Sequence, residues 1–172
     1  VTQLIRDLSQ TIRSVKPYVQ LGISPFGIYR NERTHPVGSK TGGLQNYDDL
    51  YADILLWDRE GLMDYVVPQI YWYMGHKVAD YTELGLWWSR HIKNAQLIVG
   101  QHVRRTMDSD QLHPKMVLAA KQTFGNSIWP GDDLWGNSYK GIAEQLHKDY
   151  WSVPALVPAR PYPASMEPFS EP

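Results

Sequence analysis

The sequence contains no cysteine at any of its 172 positions. This absence excludes disulfide bonds, thiolate catalysis and cysteine-ligated zinc, although it does not fix a cellular compartment. No apolar run approaches the roughly 18 residues that a membrane-spanning helix needs, and the six histidines lack the spacing of metal ligands. The formal net charge of -1 gives no electrostatic reason to expect nucleic acid or an anionic membrane surface as a partner. We therefore expect no metal, cofactor or nucleic acid.

Phenylalanine is scarce, with 3 residues against 7 tryptophans and 11 tyrosines. A core that needed only bulk would use phenylalanine freely, because buried Tyr and Trp must find partners for their polar atoms. The excess of amphipathic rings indicates surfaces that stack on ligands. For any single ring, a structural position remains the simpler interpretation.

Helical and strand patterns alternate along the chain. Apolar spacing and capping residues predict helices over 2–15, from Asp48 or Asp49 to 59, over 80–91, from Ser109 or Asp110 to 124, and over 138–150. Short β-type runs predict strands over 18–23, 65–71, 95–100 and, weakly, 126–129. The glycine-containing segment 28–46 reads as a binding loop or a lid.

This alternation is typical of a parallel sheet with helical crossovers. About four βα units preceded by a helix fit either a small open α/β sheet or half of an eight-stranded barrel. The first strand is not followed by a glycine-rich phosphate turn, which favours the half-barrel. We predict that residues 1–152 form this unit and that the Pro-rich residues 153–172 are a tail or linker.

The strand over 65–71 ends in an amide, a phenol and an indole: Gln69, Tyr71 and Trp72. In barrels of alternating strands and helices, the chemistry lies where the strands end. Gln69 and Tyr71 have the same parity along the strand, so both side chains should point to one face. Hydrogen-bonding groups beside a flat ring suit a sugar, although an aromatic core layer containing one Gln is an equal alternative.

Five segments in order resemble one family: 16–31, 47–53, 64–72, Trp87-Trp88-Ser89 and 150–158. Together they resemble the bacterial glycosyl-hydrolase-like barrels grouped near family ten, which include envelope lipoproteins that cut peptidoglycan glycan strands stripped of their stem peptides. The resemblance implies an α/β fold that is the second half of a (β/α)8 TIM barrel. It implies a missing N-terminal half as partner, and a location in the bacterial cell envelope or outside the cell, periplasmic or attached to the outer membrane through a missing N-terminus. The chain opens at Val1, so we expect that it is processed or a fragment.

The family's presumed catalytic Asp-Asp-Tyr motif belongs to the first barrel half, and nothing here matches it in that context. The weak catalytic candidates in this chain are Asp132 and Asp133, which follow the fourth strand, and Asp64, which precedes its strand and should lie at the opposite, stability face. Glu32 on the long loop could also reach inward. Turn formation and solvent-facing capping are the simpler explanation of Asp132 and Asp133.

Binding roles are better supported by the sequence. In addition to Gln69, Tyr71 and Trp72, we predict that Arg30, beside Tyr29, binds a muramic acid carboxylate through two parallel hydrogen bonds. We also predict that Gln101 and His102, which follow the third strand, belong to the site. For Arg30, the equal alternative is that its side chain pins the long loop to its neighbours. For His102, a structural hydrogen bond is the alternative.

The sequence thus predicts a glycoside hydrolase-like domain acting on bacterial cell-wall or related polysaccharide, with the catalytic acid supplied largely from outside this chain. Two alternatives stay open: a non-catalytic carbohydrate-binding barrel, and a small α/β domain with no glycan role.

Overall fold

Four parallel strands form the centre of the fold. The computed structural model describes residues 1–136, 139 and 141–154. Its strands are β1 (Gly22–Ile23), β2 (Tyr65–Val66), β3 (Gln96–His102) and β4 (Gly125–Trp129), and they lie side by side in chain order. Every neighbouring pair is parallel, with the longest ladder between β3 and β4.

Helices connect the strands and precede the first of them. They are α1 (Thr2–Val15), α2 (Ile54–Arg59), α3 (Tyr81–His91), α4 (Val103–Asp108), α5 (Leu112–Gln122), α6 (Asp132–Trp135) and α7 (Ile142–Asp149). The α/β class, with a four-stranded parallel sheet preceded by a helix, is therefore confirmed. Within the residues that the structure describes, the sheet stays open rather than closing into a barrel.

The two faces of the sheet differ in burial. Val66, Leu97 and Val99 belong to a cluster, which also contains Leu84 and Trp88 of α3, and are at most 4% exposed. Residues of the opposite parity, including Val67 and Ile98, lie outside that cluster and are only half-buried. We call this second side, to which Tyr65, Val67, Gln69, Gln96 and Ile98 point, the open face.

Helix α1 presents part of its apolar stripe to solvent. Ile5 and Ile12 are half-buried, and Ile5 packs against the main core. Leu4, Leu8 and Val15 are 59%, 43% and 70% exposed. The predicted helix is confirmed, but its apolar face is only partly covered by the described part of the chain.

The strand bounds correct three predictions. The first strand is limited to Gly22–Ile23, and the second pairs regularly only at Tyr65–Val66 before rejoining its neighbours at Gln69. Pro68 lies between these positions and has no N–H to donate to a ladder. The third strand continues through Gln101 and His102, so these residues do not follow it, as expected from the sequence, but form its end.

Two helices begin later than their capping residues suggested. Asp53, not Asp48 or Asp49, caps α2, accepting from the Leu56 amide at 3.0 Å. The preceding Tyr51 has a φ of 54°, which is not helical. The helix predicted from Ser109 or Asp110 begins only at Leu112, as α5, because Asp110 has a φ of 52°. Helix α4, which precedes it, was not predicted. The predicted start of the last helix, at Ser138, lies outside the described residues, as does most of the predicted tail.

Buried amides hold the long loop between β1 and α2. The side chain of Asn46 accepts from the Phe26 amide and donates to the carbonyls of Phe26 and Ile28. Gln45 accepts from the Asn31 amide at 2.7 Å, and Asn31, Gln45 and Asn46 are all at most 7% exposed. A loop whose polar core is satisfied in this way has one preferred conformation, which argues against the lid interpretation.

Asp58 at the end of α2 organises the turn between α3 and β3. Its carboxylate accepts from the backbone amides of Lys93, Asn94 and Ala95 at 2.7–3.1 Å, although the residue is only 3% exposed. These amides belong to the segment that leads directly into β3, so the carboxylate fixes where the strand begins.

We predict that Asp58→Ala lowers the free energy of unfolding by about 3 kcal/mol, because three backbone amides lose the charged acceptor that the buried carboxylate provides. Urea denaturation would measure this. The control is Asp7→Ala on α1, where the carboxylate makes an exposed bond to Gln3 and the change should stay within about 0.5 kcal/mol. Equal effects of the two substitutions would contradict the role of Asp58.

Candidate functional site

The carboxyl ends of the four strands meet along one edge of the sheet, which we call the catalytic edge by analogy with barrel enzymes. One row of paired residues crosses the sheet close to this edge. Phe26 pairs with Gln69, Gln69 with Gly100, and Gly100 with Ser127. Residues that pair directly point to the same face, so this row faces the open side of the sheet.

Three predicted site residues come together there. The side-chain amide nitrogen of Gln69 donates to the Ser24 carbonyl at 3.1 Å. The side-chain oxygen of Gln69 has no partner among the described residues. Tyr71 lies beyond Gln69 on the same face, with its ring edge-on to the His102 imidazole at a centroid distance of 5.6 Å. Partial burial raises the pKa of the Tyr71 hydroxyl, which therefore stays protonated at neutral pH and can donate a hydrogen bond. An amide, a phenol and an imidazole thus line one patch.

Two glycines allow these groups to approach each other. A Cβ at Gly27 would lie 2.6 Å from the Gln69 carbonyl oxygen and 2.7 Å from the Trp72 ring. A Cβ at Gly100 would lie 2.9 Å from the Pro68 carbonyl oxygen and 3.4 Å from the Tyr71 ring. The site is therefore built on backbone positions where a larger residue would displace its aromatic side chains.

Trp72 also lines a cleft. The indole makes an edge contact with Phe26, with ring centroids 6.1 Å apart. The cleft, which we call the outer cleft, has a volume of about 490 Å³. Its walls are formed by Trp72, Tyr73, His76, Arg105, Asp108 and Ser109.

Tyr29 and Arg30 lie in a different environment from the one predicted. Tyr29 is 6% exposed, stacks on Trp87 and donates its hydroxyl proton to Asp53 at 2.9 Å. Burial, followed by that hydrogen bond, raises the pKa of the Tyr29 hydroxyl. Arg30 forms a two-pronged ion pair with Asp48 at 2.9 and 2.7 Å and lies over the Tyr47 ring. Both polar groups are already engaged within the protein, which favours the interpretation that Arg30 pins the loop.

The side chain of Gln101 corrects the predicted site geometry. It has the parity of Leu97 and Val99, so it points toward the helices rather than to the open face, and it is 1% exposed. Its amide donates to the Asn126 side chain and to the Met116 sulfur. The side-chain oxygen of Gln101 (Oε1) and the Nδ1 atom of the adjacent His102 have no hydrogen-bond partner among the described residues. Gln101 thus supports the sheet from behind, while His102 reaches the open face.

The three weak catalytic candidates differ in position. Asp133 is 4% exposed and accepts both bonds of a two-pronged ion pair from Arg104, at 2.8 Å each. This hydrogen-bonded pair holds the pKa of Asp133 below its usual range, so the carboxyl group is ionised and unsuited to donate a proton. Asp64 lies at the opposite edge of the sheet and accepts from the Leu21 amide at 2.7 Å.

Asp132 alone of the three lies at the catalytic edge with an exposed side chain that has no partner among the described residues. Glu32 is exposed on the long loop. Over residues 1–136, 139 and 141–154, the structure therefore offers no pair of free carboxylates at the site.

Sequence reasoning missed four side chains around the site. Trp129, at the end of β4, is 55% exposed, and Trp135 on α6 is 82% exposed. The signal for Trp129 was present, because it ends its strand as Trp72 ends the extended segment after β2. Arg105 and His76 line the outer cleft but lie on segments that the sequence assigned differently or left without a role.

The described residues contain neither a candidate metal-binding cluster nor a helix that could cross a membrane. No group of three or more His, Asp or Glu side chains is placed to hold a metal ion. No helix in this part of the chain has the length and apolarity needed to cross a bilayer.

Comparison with known proteins identifies related sequences. The family model described as "Glycosyl hydrolase-like 10" matches residues 1–117. Glycosyl hydrolase YngK of Bacillus subtilis is 41% identical over 175 residues, covering 94% of this chain and 34% of YngK. Glycosyl hydrolase DigH of Escherichia coli strain K12 is 38% identical over 118 residues, covering 67% of this chain and 27% of DigH. The chain thus spans about a third or less of these relatives.

We predict that Gly27→Ala costs about 1–3 kcal/mol of stability, because the new methyl group overlaps the Gln69 carbonyl and the Trp72 ring. The matched control is Gly42→Ala, where a Cβ meets nothing within 4 Å. Thermal unfolding of the two variants would measure the difference. If Gly27→Ala were as stable as Gly42→Ala, Gly27 would not lie as close to the Gln69 carbonyl and the Trp72 ring as the structure shows.

The pH dependence of stability should reveal the environment of His102. Burial, followed by the positive charge of Arg105, lowers the pKa of His102. The unfolded chain then takes up a proton near pH 6.5 while the folded protein remains neutral at this position, so stability falls as the pH drops through the unfolded pKa toward the folded one. His102→Gln removes this contribution. We expect the wild type to lose more stability than the variant between about pH 7 and about pH 5, and parallel curves from urea denaturation would refute the assignment.

Proposed function

This chain belongs to the glycosyl hydrolase-like 10 family, and we propose that it is part of a glycoside hydrolase acting on bacterial cell-wall or related polysaccharide. In this proposal the chain supplies mainly residues that bind the glycan, and the catalytic acid comes from a segment outside it. The proposed location is the bacterial cell envelope or the exterior of the cell.

The observation that carries the proposal is the patch formed by Gln69, Tyr71 and His102 on the open face, next to Trp72. Gln69 has a free amide oxygen, and no partner for the Tyr71 hydroxyl occurs among the described residues, so both can bond to sugar hydroxyls or to an acetamido group. The Trp72 indole offers a flat apolar surface for the face of a pyranose ring. The outer cleft continues from Trp72 and has room for a further sugar unit.

The acid chemistry explains why this chain is assigned a binding role. Hydrolysis of a glycosidic bond usually needs two carboxyl groups, about 5–5.5 Å apart for retention or 6.5–9.5 Å for inversion. At the catalytic edge the described residues contribute Asp132 as a free carboxylate, whereas Asp133 is committed to Arg104. A second carboxylate must therefore come from elsewhere if the site is to cut.

Three features support a partner segment that completes the barrel. The chain spans 34% of YngK and 27% of DigH. The open face of the sheet is half-buried, whereas parallel sheets are normally covered on both faces. Leu4, Leu8 and Val15 of α1 are exposed as a stripe. A preceding set of βα units would cover all of these surfaces at once.

A non-catalytic carbohydrate-binding barrel is the second candidate, favoured by the ion-paired state of Asp133 and the position of Asp64 at the opposite edge. Such a barrel would use the same aromatic patch to bind glycan, but it would release no reducing ends because it cuts no glycosidic bond. The third interpretation, an α/β domain with no glycan role, predicts that the folded chain ignores sugars.

We predict that Trp72→Ala weakens binding of peptide-free peptidoglycan glycan strands by at least about tenfold, because a stacking ring in a sugar site is typically worth more than 1 kcal/mol. Binding is measured as the rise in melting temperature with added glycan. Phe124→Ala is the matched control: Phe124 is 67% exposed but lies at the opposite edge, beside the start of β4.

The same glycan, incubated with the chain alone and with a full-length protein that contains it, distinguishes the candidates. We expect reducing ends from the full-length protein only. Their absence from both would favour the carbohydrate-binding barrel. A wild-type chain whose melting temperature does not respond to the glycan would overturn the glycan role.

A further inference from the structure

We propose that Lys115 is a positioning residue of this site: its buried ammonium group fixes the backbone of Trp72 and, through it, the indole on which the sugar would stack. The role of the indole rests on the proposed function, whereas the placement of Trp72 by Lys115 is independent of it.

The contacts of Lys115 account for all three of its N–H groups. The side chain is on α5 and is completely buried, with 0% exposure. Its Nζ donates to the Trp72 carbonyl at 2.8 Å and to the Thr106 hydroxyl at 3.0 Å. The third side of the ammonium faces the Tyr81 ring, 4.7 Å from its centroid, in a cation–π contact. A carbonyl, a hydroxyl and a ring face therefore replace the water that Lys115 has lost.

Burying the Lys115 ammonium group is an energetically unfavourable way to fill this volume. No carboxylate pairs with Lys115 among the described residues, and the burial of an unpaired charge is costly compared with an apolar side chain of similar length. A methionine at 115 would fill the same volume without that cost. The methionine would lack the donors to the Trp72 carbonyl and to the Thr106 hydroxyl, and of these two bonds the one to Trp72 reaches the site.

Residues 71–74, which we call the lip segment, depend on such bonds because they lie beyond the regular part of β2. Arg105 donates to the Tyr71 carbonyl at 3.3 Å, and Lys115 to the Trp72 carbonyl. The Gln111 side chain accepts from the Met74 amide at 2.7 Å and donates to the Met74 carbonyl at 3.1 Å. The side chains of the following α4–α5 unit thus hold three of the four lip residues, and Lys115 is the one that is bonded to Trp72.

Several groups face the ammonium and set its charge state. Tyr81 approaches from α3, Thr106 and Arg105 from α4, and the imidazole of His102 from the end of β3. Burial, followed by repulsion from Arg105, lowers the pKa of Lys115 to about 8. The ammonium form therefore predominates at neutral pH and titrates within a range in which the protein can be studied.

The test uses the tryptophan indole N–H signals of the ¹⁵N-labelled chain, with the Trp72 signal assigned as the one lost in Trp72→Phe. Lys115→Met should displace the Trp72 signal by more than its line width. The Trp57 signal, from an indole that donates to Thr2 on α1, should stay in place. Thr106→Val, which removes one acceptor and keeps the lysine, should move the Trp72 signal less. It also provides the measurement if Lys115→Met fails to fold.

A pH titration adds a readout that a purely space-filling role would not move. In the wild type the Trp72 signal should shift with a midpoint near pH 8, and in Lys115→Met this transition should be absent. A Trp72 signal that stays at its wild-type position in every variant that folds would overturn the proposal.

A glycan-binding measurement distinguishes failure of this inference from failure of the proposed function. With peptide-free peptidoglycan glycan strands as the probe, Lys115→Met should raise Kd about tenfold compared with the wild type. Binding by the wild type together with an unchanged Kd in the variant would overturn the role of Lys115 in the site. If the wild type does not bind but the Trp72 signal moves as expected, the proposed function fails and the placement of Trp72 by Lys115 stands.

Discussion

A parallel sheet that, in the described part of the chain, is covered by helices on one face only is the constraint on which the rest of this structure depends. The helix-facing residues, such as Val66 and Val99, form a dry core with Trp88, whereas the open face retains half-buried residues such as Ile98. Because strand parity decides which side chains point to each face, the same geometry that buries Gln101 behind the sheet brings Gln69, Tyr71 and His102 together in front of it. The open face is thus both the less buried surface of the described sheet and the surface on which the candidate site is built.

Polar side chains, rather than sheet pairing, fix the irregular segments at both ends of the strands. Asp58 binds the three amides that lead into β3, and Asn46 binds the backbone on either side of Gly27. Asp64 holds the Leu21 amide ahead of β1, and Arg104 and Asp133 tie the segments after β3 and β4 to each other. Apart from the Asn46 bonds, which lie within one unit, these contacts join different βα units. The short strands β1 and β2 do not need long ladders to keep their register.

The sequence predicted the order of the elements well, and the placement of individual side chains less well. Apolar spacing identified α1, and Asp80 was correctly assigned as the cap of α3, because these are local properties. The start of α2 was misplaced because Asp48 and Asp49, which look like caps, instead bind the Arg30 guanidinium from the start of the loop and the nearby Gln45 amide. Gln101 was assigned to the site because the strand was expected to end at Gly100, whereas it continues to His102, and within a strand the parity of Gln101 turns its side chain toward the helices. Pairing between distant charges, such as Arg104 with Asp133, leaves no periodic trace in a sequence.

The Gln111 clamp on Met74 has a consequence for how such a site diversifies. One primary amide supplies an acceptor and a donor to the same residue, which are the two groups that an adjacent strand would otherwise offer. The lip is therefore attached to a helix terminus and not to the hydrogen-bond ladder. A substitution in the lip can therefore change the rings that it presents without disturbing the register of the strands.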